Sequence, residues 1–212
     1  MIAHGDVDPR DRALLEGADL VVAADGGTLA LERWRVVPGA IFGDLDSLGL
    51  ERARAYEARG VKVVPFSPEK DESDLELAIA YATAAKADDI LLLGIFGGER
   101  FDHELANTLL LASEAYRGRG LRAVRGNVTV RALHGGERTE LAGQPGDGVT
   151  LLAVRGDAEG VRTQGLRYAL SGETLPFGAA RGLSNVVMFR PASVACDRGV
   201  LLVIETKAGG VP

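Results

Sequence analysis

The change of rhythm near residue 124 most constrains what this chain of 212 residues can fold into. Up to about residue 122, short apolar runs alternate with stretches of helical spacing. Leu20 to Ala24, Ala40 to Phe42, Val61 to Val64 and Ile90 to Leu93 read as strands buried on both faces of a parallel sheet. Between them, Leu50 to Arg59, Asp71 to Lys86 and Asp102 to Tyr116 read as helices. In the last two, Leu75, Ile79 and Ala82, and Leu105, Leu109 and Ala112, form apolar stripes. Strand–helix alternation predicts an open, mostly parallel α/β sheet flanked by helices. After Gly126 no helix-period segment remains. Val128 to Leu133, Val149 to Val154, Leu166 to Leu170, Val186 to Phe189 and Val200 to Ile204 read as strands, with turn chemistry at 144–148 and 197–199. The expectation is an α/β domain over residues 1–124 and an all-β sandwich or barrel over 125–212.

Composition excludes several function classes. The formal charge of −6 disfavours nonspecific nucleic-acid binding, which needs a basic surface. No apolar run approaches the ~20 residues that span a bilayer, and the N-terminal residues lack a signal-peptide pattern. Cys196, the single cysteine, makes neither an internal disulfide nor a cysteine-based zinc site. A cytoplasmic protein without membrane or nucleic-acid partners is the default. An acidic protein that binds nucleotide phosphates needs cations near them, commonly magnesium held by carboxylates.

Ligands of open α/β sheets bind outside the carboxyl ends of the strands, where four polar clusters fall. Asp25-Gly26-Gly27 follows the first strand. It reads as a strand-to-helix turn capped by Asp25, or as glycines that let backbone amides approach a ligand. Gly43-Asp44-Leu45-Asp46-Ser47 follows the second. In extended backbone Asp44 and Asp46 point the same way and repel, unless a cation lies between them or solvent screens them. Asp71 and Asp74, beside Lys70 and Ser73, share a helix face at spacing i, i+3. They serve metal or phosphate, or merely favour a helix N-terminus. Gly97 to His103 is a glycine loop running into a helix, where Arg100 can fork onto phosphate, Asp102 can cap, and His103 can pack or act. Neither a P-loop nor a dinucleotide fingerprint is present.

The ordered set Ala24 to Gly27, Gly43 to Ser47, Lys70 to Glu76, Gly97 to His103 with Leu105-Ala106-Asn107, and Gly182 to Asn185 resembles the thiamine pyrophosphokinase family, over about Val21 to Ile204. The resemblance implies a homodimer that transfers an intact pyrophosphoryl group from ATP to the thiamine hydroxyl, giving thiamine diphosphate and AMP. It implies Mg2+ held by Asp44, Asp46, Asp71 and Asp74, with Asp102 completing the catalytic set. ATP would be held by Asp25, Gly26, Gly27, Lys70, Ser73, Arg100 and His103. Thiamine would meet Tyr168, Ser184 and Asn185 of the β-domain, facing the α/β domain of the other subunit. Four departures are visible: Ser73 where threonine is usual, Glu99 lengthening the glycine loop before Arg100, Val186 after Asn185, and an abbreviated first strand. Two alternatives stay open: a pyrophosphokinase for another small alcohol, such as a hydroxymethyl-dihydropterin, and a non-enzymatic nucleotide or thiamine sensor.

Overall fold

A computed structural model describes residues 1–67, 69 and 71–209. The chain divides into two compact units, Met1–Thr108 and Leu109–Pro212. The expected boundary stood later, near residue 124, and the division falls inside a helix at 101–110. The regular β half begins at Arg122.

The first unit is an open parallel sheet. β1 (Val22–Ala24), β2 (Ala40–Gly43) and β3 (Lys62–Pro65) pair in that order, with Val22 opposite Ala40 and Ile41 opposite Val63. β4 (Leu91–Leu92) lies on the other side, because Ile2 bridges in parallel to both Ala23 and Leu93. The short first strand is thus hydrogen-bonded on both edges: Ile2 N–H donates to Val22 O and Ala3 N–H to Leu93 O. β1 and β2 are fully buried, as expected of strands covered on both faces, whereas β3 is an edge strand whose ends, Lys62 and Pro65, are exposed.

Among the described residues three helices pack on this sheet, α1 (Gly27–Trp34), α2 (Leu50–Glu57) and α3 (Asp74–Ala84), and α4 (Phe101–Leu110) follows with no buried residue. α3 lays Ala78 against Val22, Ala40 and Phe42, and Tyr81 tilts over Phe42 at 4.9 Å between ring centroids. Its start corrects the expectation of a helix from Asp71. Ser73 is the N-cap, accepting from Glu76 N–H while Glu76 Oε2 accepts from Ser73 N–H. This reciprocal capping box leaves Asp71 outside the helix. α4 likewise ends well before the expected Tyr116, after which a 3-10 turn covers Glu114–Tyr116.

The second unit is all-β, as expected. Its strands are β5 (Arg122–Arg125), β6 (Val128–His134), β7 (Glu137–Glu140), β8 (Gly148–Ala153), β9 (Ala158–Gln164), β10 (Ser171–Leu175), β11 (Asn185–Val186), β12 (Ser193–Cys196) and β13 (Val200–Thr206). Two antiparallel layers run β10-β9-β12-β7 and β11-β8-β13-β6-β5. Val161, Val194 and Cys196 from the first share one core with Leu133, Val149, Leu151, Leu201 and Val203 from the second. Alternate residues of β8 are buried, the pattern of a strand with one face on a core. The expected strand at 166–170 reduces to a single bridge, Leu166 to Val187, because the chain there turns toward β10.

Candidate active site

Asp25 stands at the end of β1, Asp44 just beyond β2, and Asp74 opens α3. Carboxylate oxygens of the three lie within 4.8 Å of one another, with Asp25 buried and the others partly so. Gly43 makes the convergence possible. A Cβ there would sit 2.6 Å from Asp25 Cβ and 3.1 Å from Asp74 Oδ2, so any side chain at the strand end would push the carboxylates apart.

Asp25 does not cap α1; Gly26 occupies the N-cap position. At a φ of 34°, Asp25 turns its carboxylate across to the next loop, where it accepts from Ser47 N–H (3.1 Å) and Leu48 N–H (3.3 Å). Burial pushes its pKa above the ordinary carboxylate value, and a hydrogen bond shared with Asp46 acts in the same direction. Asp46 is held below the ordinary value, first by the Ser47 side chain and then by Asp25.

The parallel side chains expected of Asp44 and Asp46 are not formed. Leu45 between them is buried in the left-handed region, at a φ of 65°, so the backbone is not extended. Asp46 N–H instead donates to Asp44 Oδ1 at 3.2 Å; Asp44 groups with Asp25 and Asp74, while Asp46 meets Ser47 and Asp25. Burial of an apolar Leu45 decides the turn, which spacing alone cannot reveal.

The other candidates are placed as follows. Asp71 is exposed ahead of α3 and, among the described residues, is not part of the three-carboxylate group; nor is Asp102. Lys70 lies outside the described residues. Ser73 caps α3 and so orients Asp74. Arg100 forks onto Asp102 with two hydrogen bonds of 2.9 and 2.6 Å, both side chains exposed, and draws the Asp102 carboxyl down to about 2. His103 is exposed in the first turn of α4. A Cβ on Gly26 would meet the His4 ring at 2.4 Å and one on Gly27 would meet Ile2 O at 2.2 Å, so the close approach these glycines permit is to the protein's own first strand. His4 itself was not singled out in the sequence. A lone histidine before a glycine carries no motif, and only the fold brings its Nδ1 to 3.4 Å from Ser47 Oγ.

In the second unit Asn185 is buried and its carboxamide is committed. Oδ1 accepts from Tyr168 N–H and Val186 N–H, both at 2.9 Å, and Nδ2 donates to Tyr168 O at 2.8 Å. Its direct role is to fix the 166–168 segment onto β11. That presents Tyr168 to solvent, 60 % exposed, with the Arg167 guanidinium 5.6 Å from its ring centroid. Ser184, exposed at a φ of 60°, precedes it.

Two family models match this chain: "Thiamin pyrophosphokinase, catalytic domain" over residues 12–121 and "Thiamin pyrophosphokinase, vitamin B1 binding domain" over residues 138–201. A thiamine pyrophosphokinase of Arabidopsis thaliana is 30 % identical over 96 % of this chain and 84 % of its own length. That of Bacillus subtilis is 26 % identical over 88 % and 87 %. The crystal structure of a Geobacillus thermodenitrificans thiamin pyrophosphokinase superposes with a TM-score of 0.79 at 26 % identity, covering all of both chains. The Bacillus subtilis structure gives 0.84 at 23 % identity over 98 % of each, a likeness of fold.

Proposed function

This chain belongs to the thiamine pyrophosphokinase family, and from that premise we propose how its own residues perform the reaction. It is an enzyme that transfers the pyrophosphoryl group of ATP to the hydroxyl of thiamine, giving thiamine diphosphate and AMP. The observation that carries the mechanism is the convergence of Asp25, Asp44 and Asp74 where β1 and β2 end and α3 begins. Three hard oxygen donors this close, one of them buried, repel at neutral pH and suit a small divalent cation. Asp25, Asp44 and Asp74 would hold Mg2+, with Asp46 behind them. When bound, it would neutralise triphosphate charge and stabilise the charge that develops during transfer.

The protein's remaining task is to position and orient. The thiamine oxygen must approach the β-phosphorus opposite the oxygen that bridges to the α-phosphorus, so that one O–P bond forms as the other breaks. Gly26, Gly27, Ser73, Lys70 and His103 stand with the ATP side of this assignment by the family motif. Arg100 would exchange the Asp102 carboxylate for phosphate oxygens, using the same two N–H donors. Tyr168 offers a ring to the cationic thiazolium, a contact of roughly 0.5–2 kcal/mol. Ser184, whose N–H donates to Thr150 Oγ1, offers a hydroxyl, and Asn185 holds the Tyr168 backbone in place.

A homodimer is proposed with this function, since Tyr168, Phe177, Leu183, Met188 and Phe189 leave large apolar surfaces exposed. Among the described residues no helix is long and apolar enough to cross a membrane. The use of ATP and the buried free thiol of Cys196 support a cytoplasmic setting.

The test is ATP labelled at the β-phosphorus, incubated with thiamine, with a hydroxymethyl-dihydropterin, and with no acceptor. Label should enter thiamine diphosphate in one step with equimolar AMP. Accumulation of ADP and thiamine monophosphate would identify a simple kinase instead. AMP release only with the pterin would move the substrate assignment, and none with any acceptor would favour a sensor.

A further inference from the structure

His4 belongs to no family motif quoted above, yet the fold delivers it to the carboxylates. Its backbone is fixed on both sides: Ala3 N–H donates to Leu93 O at 2.8 Å and Gly5 N–H to Gly94 O at 2.7 Å. Its ring lies against the Gly26 backbone, where even one added carbon would collide with it. His4 therefore ends the first strand as Asp25 ends β1 and Asp44 follows β2, all at the carboxyl edge of one sheet.

The Ser47 hydroxyl has one proton. That proton is donated to Asp46 Oδ1 at 3.0 Å. Toward His4 Nδ1, at 3.4 Å, the hydroxyl can then act only as acceptor, and Nδ1 must carry the hydrogen. The chain runs in one direction: His4 Nδ1–H to Ser47 Oγ, and Ser47 Oγ–H to Asp46.

We propose that His4 is a positioning residue of the cation site, orienting the Ser47 hydroxyl onto Asp46 and thereby holding Asp46 against Asp25 in the arrangement that receives a divalent cation. This rests on the assignment of the carboxylates to Mg2+ made above. Support that hydrogen-bonds a metal's carboxylates commonly changes affinity by about 10–100-fold. His4 acts one residue further out, so the lower end of that range, about 10-fold, is expected.

The test uses the full chain, free of nucleotide, with Mn2+ binding read by electron paramagnetic resonance. His4→Phe keeps a ring over Gly26 but has no donor; His4→Asn returns an amide N–H near the place of Nδ1. His4→Phe should weaken Mn2+ binding about 10-fold and raise the half-saturating Mg2+ in the AMP-release assay by the same factor. At saturating Mg2+ its kcat should stay within about twofold of the parent, since the reacting atoms are untouched. His4→Asn should recover binding to within about twofold. The double variant His4→Phe/Ser47→Ala should bind no more weakly than Ser47→Ala alone, because both break one chain. Parent-like Mn2+ binding by His4→Phe, or equal weakness of His4→Asn and His4→Phe, would overturn the inference. Failure of the parent protein itself to bind Mn2+ would overturn the cation site and this inference together.

Discussion

Asp25 combines burial with two neighbouring carboxylates at the end of β1, an unfavourable place for a charge before a cation arrives. Its folded pKa is raised, so the folded protein holds this proton more tightly than the unfolded chain. The stability contributed by that group is complete below the unfolded value of 3.8 and is lost as pH rises through the folded value. Asp25→Asn is neutral throughout and tolerates the positive φ of this position. In EDTA, thermal melts of the metal-free variant should show a higher Tm than the parent at pH 7.5, with the gain fading toward pH 4. Turnover should fall by at least ~100-fold, the order of loss when one stabilising group is removed from a preorganised site. A Tm difference independent of pH would show that the Asp25 charge is not what destabilises the empty site.

Two short elements carry the site's precision. α3 begins at Asp74 because Ser73 and Glu76 cap one another. Ser73→Ala should cost about 1 kcal/mol, read as a Tm loss of about 2–4 °C, and Ser73→Thr should restore it. Because Asp74 is the first residue of the helix, the alanine variant should also need more Mg2+ for half-maximal rate; an unchanged requirement would separate the cap from the cation site. β11 depends on Asn185 in the same way. Asn185→Ala strands the N–H groups of Tyr168 and Val186, at about 1–3 kcal/mol for each group left buried without a partner. The KM for thiamine should rise about 10-fold or more while that for ATP stays near the parent's, since the ring presented by the 166–168 segment loses its anchor. An equal rise in both would argue for general loosening.

At the scale of the molecule, each unit has its own core, and the residues proposed for the two substrates lie on different units: the carboxylates on the first, Tyr168 and Ser184 on the second. A symmetric dimer in which each site takes one unit from each subunit predicts complementation. Asp46→Asn subunits, nearly inactive, and Tyr168→Ala subunits, weakened about 2–30-fold at subsaturating thiamine by loss of that contact, should together exceed the sum of their separate activities, with about one working site in each mixed dimer. If native mass measurements confirm mixed dimers and AMP release does not exceed that sum, each site lies within one subunit.

The sequence by itself determined the two rhythms, and with them an α/β unit followed by an all-β one. Apolar spacing of about two or about 3.6 residues states which face of each element must be buried, wherever it packs. It also placed Asp25, Asp44 and Asp74 at the ends of strands or the start of a helix. Legible, too, was the family motif, though not which of its aspartates meet. That was decided by the left-handed turn at Leu45, which breaks the extended backbone between Asp44 and Asp46, and by the cap at Ser73, which leaves Asp71 outside α3. β7, β9 and β10 escaped notice because their polar residues mostly face solvent and their apolar ones are few, and β12 because four largely buried residues are too short to show a period. Their partners across the sheets, not their own composition, make them strands. His4 shows the same limit most plainly: a hydrogen bond between residues 4 and 47 exists only because parallel strands bring distant carboxyl ends to one edge, and no local pattern records that neighbourhood.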